Sequence, residues 1–164
     1  MKIRRFLFLD VDEVLNSIRT RYAYSFNSNK GEAPKGNLTE RLDPVAVEFL
    51  NGMYKQGVEI VISSTWRIQK MELLQELLPF PIPLKTGRSK EEFINSRRVQ
   101  RGLEIQEFLD SIEEDYLYCI VDDGQDFLEE QLKFHVHIDY RNGMLVQDFE
   151  KIAGLLDVYP YDIQ

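Results

Sequence analysis

Cysteine is almost missing from this chain: Cys119 is the only one, set inside the apolar run Tyr116-Leu-Tyr-Cys-Ile-Val121. A lone cysteine excludes an intramolecular disulfide framework and a cysteine-rich zinc site, and its apolar neighbours mark it as a buried thiol in a strand. Long hydrophobic runs are lacking too, and no stretch approaches the length of a membrane span. The apolar start is interrupted by Asp10, Asp12 and Glu13 too early for a secretory leader, so the expected location is cytoplasmic, with no membrane partner. Glycine and proline, at 9 and 6 residues, are too scarce for a collagenous or low-complexity chain. Histidine is limited to His135 and His137, which alternate along a strand and share one face. With no third ligand nearby they receive no role.

The remaining composition suits a single α/β domain spanning 1–164. A hydrophobic content of 43% in 164 residues supplies one core, not two. The formal charge of -8 hides an asymmetry: residues 1–101 hold 17 Lys/Arg against 12 Asp/Glu, and residues 102–164 hold 3 against 16. An acidic total argues against a broad nucleic-acid surface, while the basic first part can attract a phosphorylated substrate locally. No obligate protein partner is evident.

Short runs rich in Val, Ile, Leu and Phe at about 5–10, 58–63, 117–122 and 134–139 predict buried parallel strands. Between the first two, the run 43–54 predicts a helix with Asp43 as N-cap and Pro44 at its first position, ending before Gly57. Apolar residues at 68, 71, 74, 77 and 78 predict a helix over 67–78, stopped by the Pro-Phe-Pro-Ile-Pro stretch at 79–83. Further helices are predicted over 103–112, 127–132 and 149–156. Segments 17–42 and 79–98 break this alternation. They are polar, aromatic and punctuated by Gly and Pro, and loops leaving a sheet at such points shape active sites.

Three of the four strands end in chemically related side chains: Asp10-Val-Asp12, Ser63-Ser64-Thr65-Trp66-Arg67 and Asp122-Asp123. In a parallel sheet those ends meet on one edge, where ligands bind in open α/β folds. Carboxylates gathered there repel one another unless a cation neutralises them. Magnesium takes few protein carboxylates and keeps positions for phosphate, so Asp10, Asp12, Asp122 and Asp123 are its expected ligands. Ser63, Ser64 and Arg67 are expected to offer donors to phosphate oxygens.

These runs resemble the haloacid dehalogenase-like (HAD) phosphatases. The first motif of that family, an apolar strand followed by Asp-x-Asp, is matched by Phe6-Leu-Phe-Leu-Asp10-Val-Asp12, with Glu13 where Gly is usual. The second is matched by Ile60-Val-Ile-Ser63 and the fourth by Tyr118-Cys-Ile-Val-Asp122-Asp123-Gly-Gln-Asp126. More narrowly, Leu15-Asn16, Ser63-Ser-Thr-Trp-Arg67, Arg101-Gly-Leu-Glu and Asp139 followed by Gly143-Met-Leu resemble the HAD domains associated with RNA-repair proteins. The resemblance implies a three-layer Rossmann-like fold with a central parallel sheet and only small cap or flap insertions.

Carried over residue by residue, it also implies a mechanism. Asp10 would be the nucleophile that forms an aspartyl-phosphate, and Asp12 the acid and base. Magnesium would be held by the Asp10 carboxylate, the Asp12 main-chain oxygen and Asp123, supported by Asp122 and Asp126. Ser63 and the family's third-motif cation, assigned to Arg101 with Arg98 second, would hold the phosphoryl oxygens. The expected substrate is a phosphorylated small molecule or a nucleic-acid terminus, as for a nucleotidase or an RNA-repair phosphatase. Two other classes stay open. A phospho-receiver domain also gathers acids at a sheet edge, though with adjacent acids after its first strand, and a non-catalytic binding protein could keep the same fold.

Overall fold

A computed structural model describes residues 3–29 and 37–161. Its centre is β1 (Arg4–Leu9), whose side chains alternate between two apolar layers, as the period of a strand requires. Leu7 and Leu9 enter the larger core, with Ile60, Ile62, Cys119 and Val121. Phe6 and Phe8 enter a smaller one on the opposite face, with Val61 and Ile120. Both faces are therefore covered, and the strands read as nearly continuous apolar runs.

After β1 the segment Ile18–Asn29 forms α1, where the sequence predicts only an irregular insertion over 17–42. Tyr22 and Phe26 are exposed, so no apolar stripe announces this helix. Part of the same insertion lies outside the described residues. Helix α2 (Pro44–Lys55) begins as expected, with the Asp43 carboxylate accepting from the Val45 amide at 2.9 Å and Pro44 in the first turn. Ala46, Phe49, Leu50 and Met53 form its buried face. Strand β2 (Glu59–Ile62) follows, parallel to β1 with Leu9 opposite Ile62.

The helix predicted over 67–78 is instead two pieces, α3 (Trp66–Gln69) and α4 (Met71–Leu77). Lys70, at φ -128°, breaks the ladder between them although the apolar spacing runs on without a gap. The second insertion is more ordered than its polarity suggests. β3 (Leu84–Lys85) adds an edge strand beside β2, and β4 (Phe93–Ile94) and β5 (Arg97–Arg98) make an antiparallel hairpin. The two-residue turn of that hairpin, Asn95-Ser96, has φ of 50° and 64°, the left-handed geometry that matches strand twist. Two-residue strands carry no detectable period, so the sequence alone does not reveal them.

Helix α5 (Gln100–Asp110) starts three residues earlier than predicted and packs Ile105 and Leu109 over the smaller core. β6 (Tyr116–Asp122) returns to the far side of β1, β7 (His135–His137) lies outside it, and α6 (Val146–Leu156) covers the larger core. Phe149 of α6 stacks on Phe49 of α2 at 4.1 Å, which places both helices on one face. The helix predicted over 127–132 is a 3-10 turn, Glu129–Phe134. The five parallel strands run in the order β3-β2-β1-β6-β7, so the chain reverses direction across the sheet between β1 and β6.

Candidate active site

Register decides which side chains meet. Leu9 of β1 lies opposite Ile62 of β2 and Val121 of β6, so the next residues, Asp10, Ser63 and Asp122, emerge side by side. The Asp10 amide donates to the Val121 carbonyl, and the Ser63 amide to the Leu9 carbonyl, each at 3.0 Å. Asp10 and Asp122 thus flank the reversal in strand order, where a crevice opens at the carboxyl ends of the strands.

Asp10 and Asp122 are buried and Asp123 is half-buried, and one oxygen from each lies within 4.8 Å of the other two. Burial, then the charge of Asp10, pushes the Asp122 carboxyl up to about 7, against the pull of Arg101 and the Gly124 amide. The same two causes push Asp123 up to about 6. Arg101 Nη1 reaches Asp10 Oδ1 at 3.1 Å and Asp122 Oδ2 at 2.8 Å. Burial opposes its charge, but Asp10, Asp122 and Asp126 outweigh burial and hold the guanidinium above its ordinary range. One guanidinium does not balance this many carboxylates, and the surplus, with its all-oxygen donor set, fits a hard divalent cation such as magnesium.

Of the two arginines considered for the phosphate-holding cation, Arg101 is at the cluster. Arg98 is exposed and pairs with Glu91 at 3.3 Å. Gly102 makes the placement of Arg101 possible. A Cβ there would lie 2.6 Å from the Leu128 nitrogen and 2.8 Å from the Phe127 Cα, so only glycine lets the start of α5 approach the Asp126 loop. In that position the Gly102 amide donates to the Asp126 carbonyl at 2.9 Å.

Asp12 is exposed and points to a different set of partners from the other three acids. Its Oδ1 accepts from Trp66 Nε1 at 2.9 Å and from Asn16 Nδ2 at 3.0 Å. Trp66 is buried, with its indole nitrogen committed to Asp12. Glu13, at φ 63°, occupies the left-handed region that glycine favours, at a cost of about 1–2 kcal/mol for other residues. The turn is retained because the Glu13 amide donates to Asn16 Oδ1 at 2.7 Å and its carboxylate pairs with Arg21.

Ser63 is fully buried, and its hydroxyl has no hydrogen-bond partner among the described residues. Such an orphan costs about 1–3 kcal/mol unless water or a ligand satisfies it. Ser64 does not share this state, because its Oγ accepts from the Trp66 amide at 3.3 Å. Arg67, expected to offer donors to phosphate, spends them within the protein. Its Nη1 donates to the Ser63 and Ser64 carbonyls at 2.7 and 2.8 Å, and its Nη2 to the Gly87 carbonyl at 3.1 Å and to Glu104 at 2.7 Å. Those donors tie the Ser63-Ser64 turn to the Gly87 loop and to α5. Burial lowers the Arg67 pKa, and Glu104 opposes the fall.

Sequence reasoning gave Glu104 no role beyond its place in the run Arg101-Gly-Leu-Glu, although a signal existed: it lies one turn before Phe108 and beside Ile105, on the side of α5 that is buried, where a charge is out of place. It also missed Thr86, which follows β3, is buried, and has an unpartnered hydroxyl among the described residues. His135 has a structural task, its Nε2 donating to the Asp122 carbonyl at 3.0 Å, while burial lowers its pKa.

A family model described as the HAD domain in Swiss Army Knife RNA repair proteins matches residues 6–149. No curated protein and no solved structure matches.

Proposed function

The chain belongs to the HAD domains of Swiss Army Knife RNA repair proteins, and from that membership and the site we propose that it is a magnesium-dependent phosphomonoester hydrolase acting on a nucleotide or nucleic-acid-end phosphate. The observation that supports this reading best is the cluster of Asp10, Asp122 and Asp123 bridged by Arg101 at the reversal of strand order. We take 1–164 as one catalytic unit.

In this reading an Asp10 carboxylate oxygen attacks phosphorus in line, the bond to the leaving oxygen breaks, and that oxygen takes a proton from Asp12. A water then gives its proton to the Asp12 carboxylate and attacks the aspartyl-phosphate, releasing phosphate and restoring Asp10. Trp66 and Asn16, both bonded to Asp12 Oδ1, fix the acid and base in orientation. Arg101 and the orphan Ser63 hydroxyl bind phosphoryl oxygens as charge develops on them. Asp10, Asp122 and Asp123 would hold magnesium, which supplies Lewis-acid neutralisation of phosphoryl charge.

The test is release of phosphate from an aryl phosphate, with and without magnesium, by wild type, Asp10→Asn and Asp12→Asn. Magnesium-dependent turnover that vanishes in Asp10→Asn and falls by about 10²–10⁴ in Asp12→Asn is expected. Turnover unaffected by Asp10→Asn would refute the assignment. A folded, magnesium-binding wild type that releases nothing from aryl phosphate, nucleotides or phosphorylated oligonucleotides would favour a binding protein on the same fold.

A further inference from the structure

A concave pocket of about 550 Å³ lies against the candidate active site and shares Arg101 with it. Its far wall is the second insertion, which contributes Arg88, Ser89, Lys90 and Arg98. Most of the acids in the pocket are already neutralised. Glu104 is bonded to Arg67, and Glu91 to Arg98, while Asp126 accepts from the Arg101 amide at 3.3 Å. Arg88 and Lys90 are exposed and form no ion pair among the described residues. Free positive charge therefore lines a pocket that reaches Arg101, the arginine paired with Asp10, in a protein whose formal charge is -8. The hairpin of β4 and β5 rises next to it with Phe93 61% and Ile94 48% exposed, large apolar side chains that the fold itself does not need.

We infer that this pocket is a subsite for the strand of a single-stranded nucleic acid, with Arg88 and Lys90 on the phosphate next to the scissile one and Phe93 offering its ring to a base. The inference rests on the phosphatase reading and deepens it, since it makes the substrate a polynucleotide end and not a free nucleotide. Two adjacent unpaired cations suit a backbone phosphate, and an exposed aromatic beside a basic groove is how sequence-tolerant strand binding is built. A free mononucleotide, whose one phosphate is taken by the catalytic cluster, would leave Arg88 and Lys90 without a partner. Arg98, which lines the pocket, lies opposite Phe93 in the hairpin, so the exposed ring belongs to the element that borders it.

Two measurements on the full chain test this. In the first, kcat and KM are determined for an aryl phosphate, a nucleoside monophosphate, a phosphopeptide and short oligoribonucleotides phosphorylated at the 3′ or 5′ end. Wild type is expected to favour one of the oligonucleotides over the mononucleotide through KM. Arg88→Gln/Lys90→Gln should raise that KM by about tenfold at moderate salt and leave aryl phosphate turnover unchanged. In the second, binding of an unphosphorylated oligonucleotide to Asp10→Asn is followed by fluorescence anisotropy, where the double substitution should weaken binding and lower the salt slope by about 0.7, the contribution of one backbone phosphate. Equal use of mononucleotide and oligonucleotide, preference for the phosphopeptide, or an unchanged oligonucleotide KM in the double variant would overturn the inference. The anisotropy arm needs no turnover, so loss of the phosphatase reading and loss of the strand subsite remain distinguishable.

Discussion

Replacing Arg67 by methionine tests whether the buried guanidinium is a clamp or a phosphate ligand. Arg67 and Glu104 meet at 2.7 Å with side-chain exposures of 6% and 3%, so neither charge has solvent to fall back on. Removing one partner of such a pair costs about 3–5 kcal/mol, because the other is left buried and uncompensated. The Ser63, Ser64 and Gly87 carbonyls lose their donor as well. Against a total stability of about 5–15 kcal/mol for an ordinary domain, the loss is a large fraction. In urea the midpoint of Arg67→Met should fall with little change in slope. Adding Glu104→Gln should cost less than the two single losses together, with a coupling of about 0.5–3 kcal/mol. On the folded fraction, aryl phosphate turnover should survive within a small factor. If Arg67→Met loses less than about 1 kcal/mol while turnover drops by a hundredfold or more, the clamp reasoning is refuted and the arginine reaches substrate after all.

Other substitutions probe the remaining supports. Glu13→Gly relieves left-handed strain of about 1 kcal/mol and gives up a half-exposed pair with Arg21 worth less than about 1 kcal/mol, so its thermal midpoint should stay close to wild type. Glu13→Ala keeps the strain without the pair, and a variant as stable as Glu13→Gly would count against strain at this turn. Gly102→Ala drives a Cβ into backbone at 2.6 Å, which should cost about 1–3 kcal/mol and, by moving Arg101, lower kcat on aryl phosphate; unchanged kcat would mean the approach of α5 is not what positions the arginine. Asp122 and Asp123, pushed up to about 7 and 6, hold protons in the folded chain that the unfolded chain has released. Their stability contribution is full below about pH 4 and lost as pH rises toward about 7. Added magnesium, which takes the ionised cluster, should therefore raise the thermal midpoint more at about pH 8 than at about pH 5, and equal shifts would contradict that competition.

Local sequence determined the strands with apolar runs, the capped start of α2 and the acids that close β1 and β6, because each follows from a period or from a residue type at a strand end. Asp10, Ser63 and Asp122 could be expected on one edge for the same reason: parallel strands bring their carboxyl ends together. What those side chains do there was decided by the tertiary structure. Arg67 and Arg101 each stand second in a helix, and nothing local separates them. Glu104 draws one into the protein, while the close approach permitted by Gly102 delivers the other to Asp10. Trp66 became the support of Asp12 through a bond across 54 positions of sequence. The strand β3 and the hairpin are two-residue elements that exist because neighbours complete their ladders. Partner choice among buried polar groups depends on distances set by packing, and no residue pattern along the chain encodes those distances.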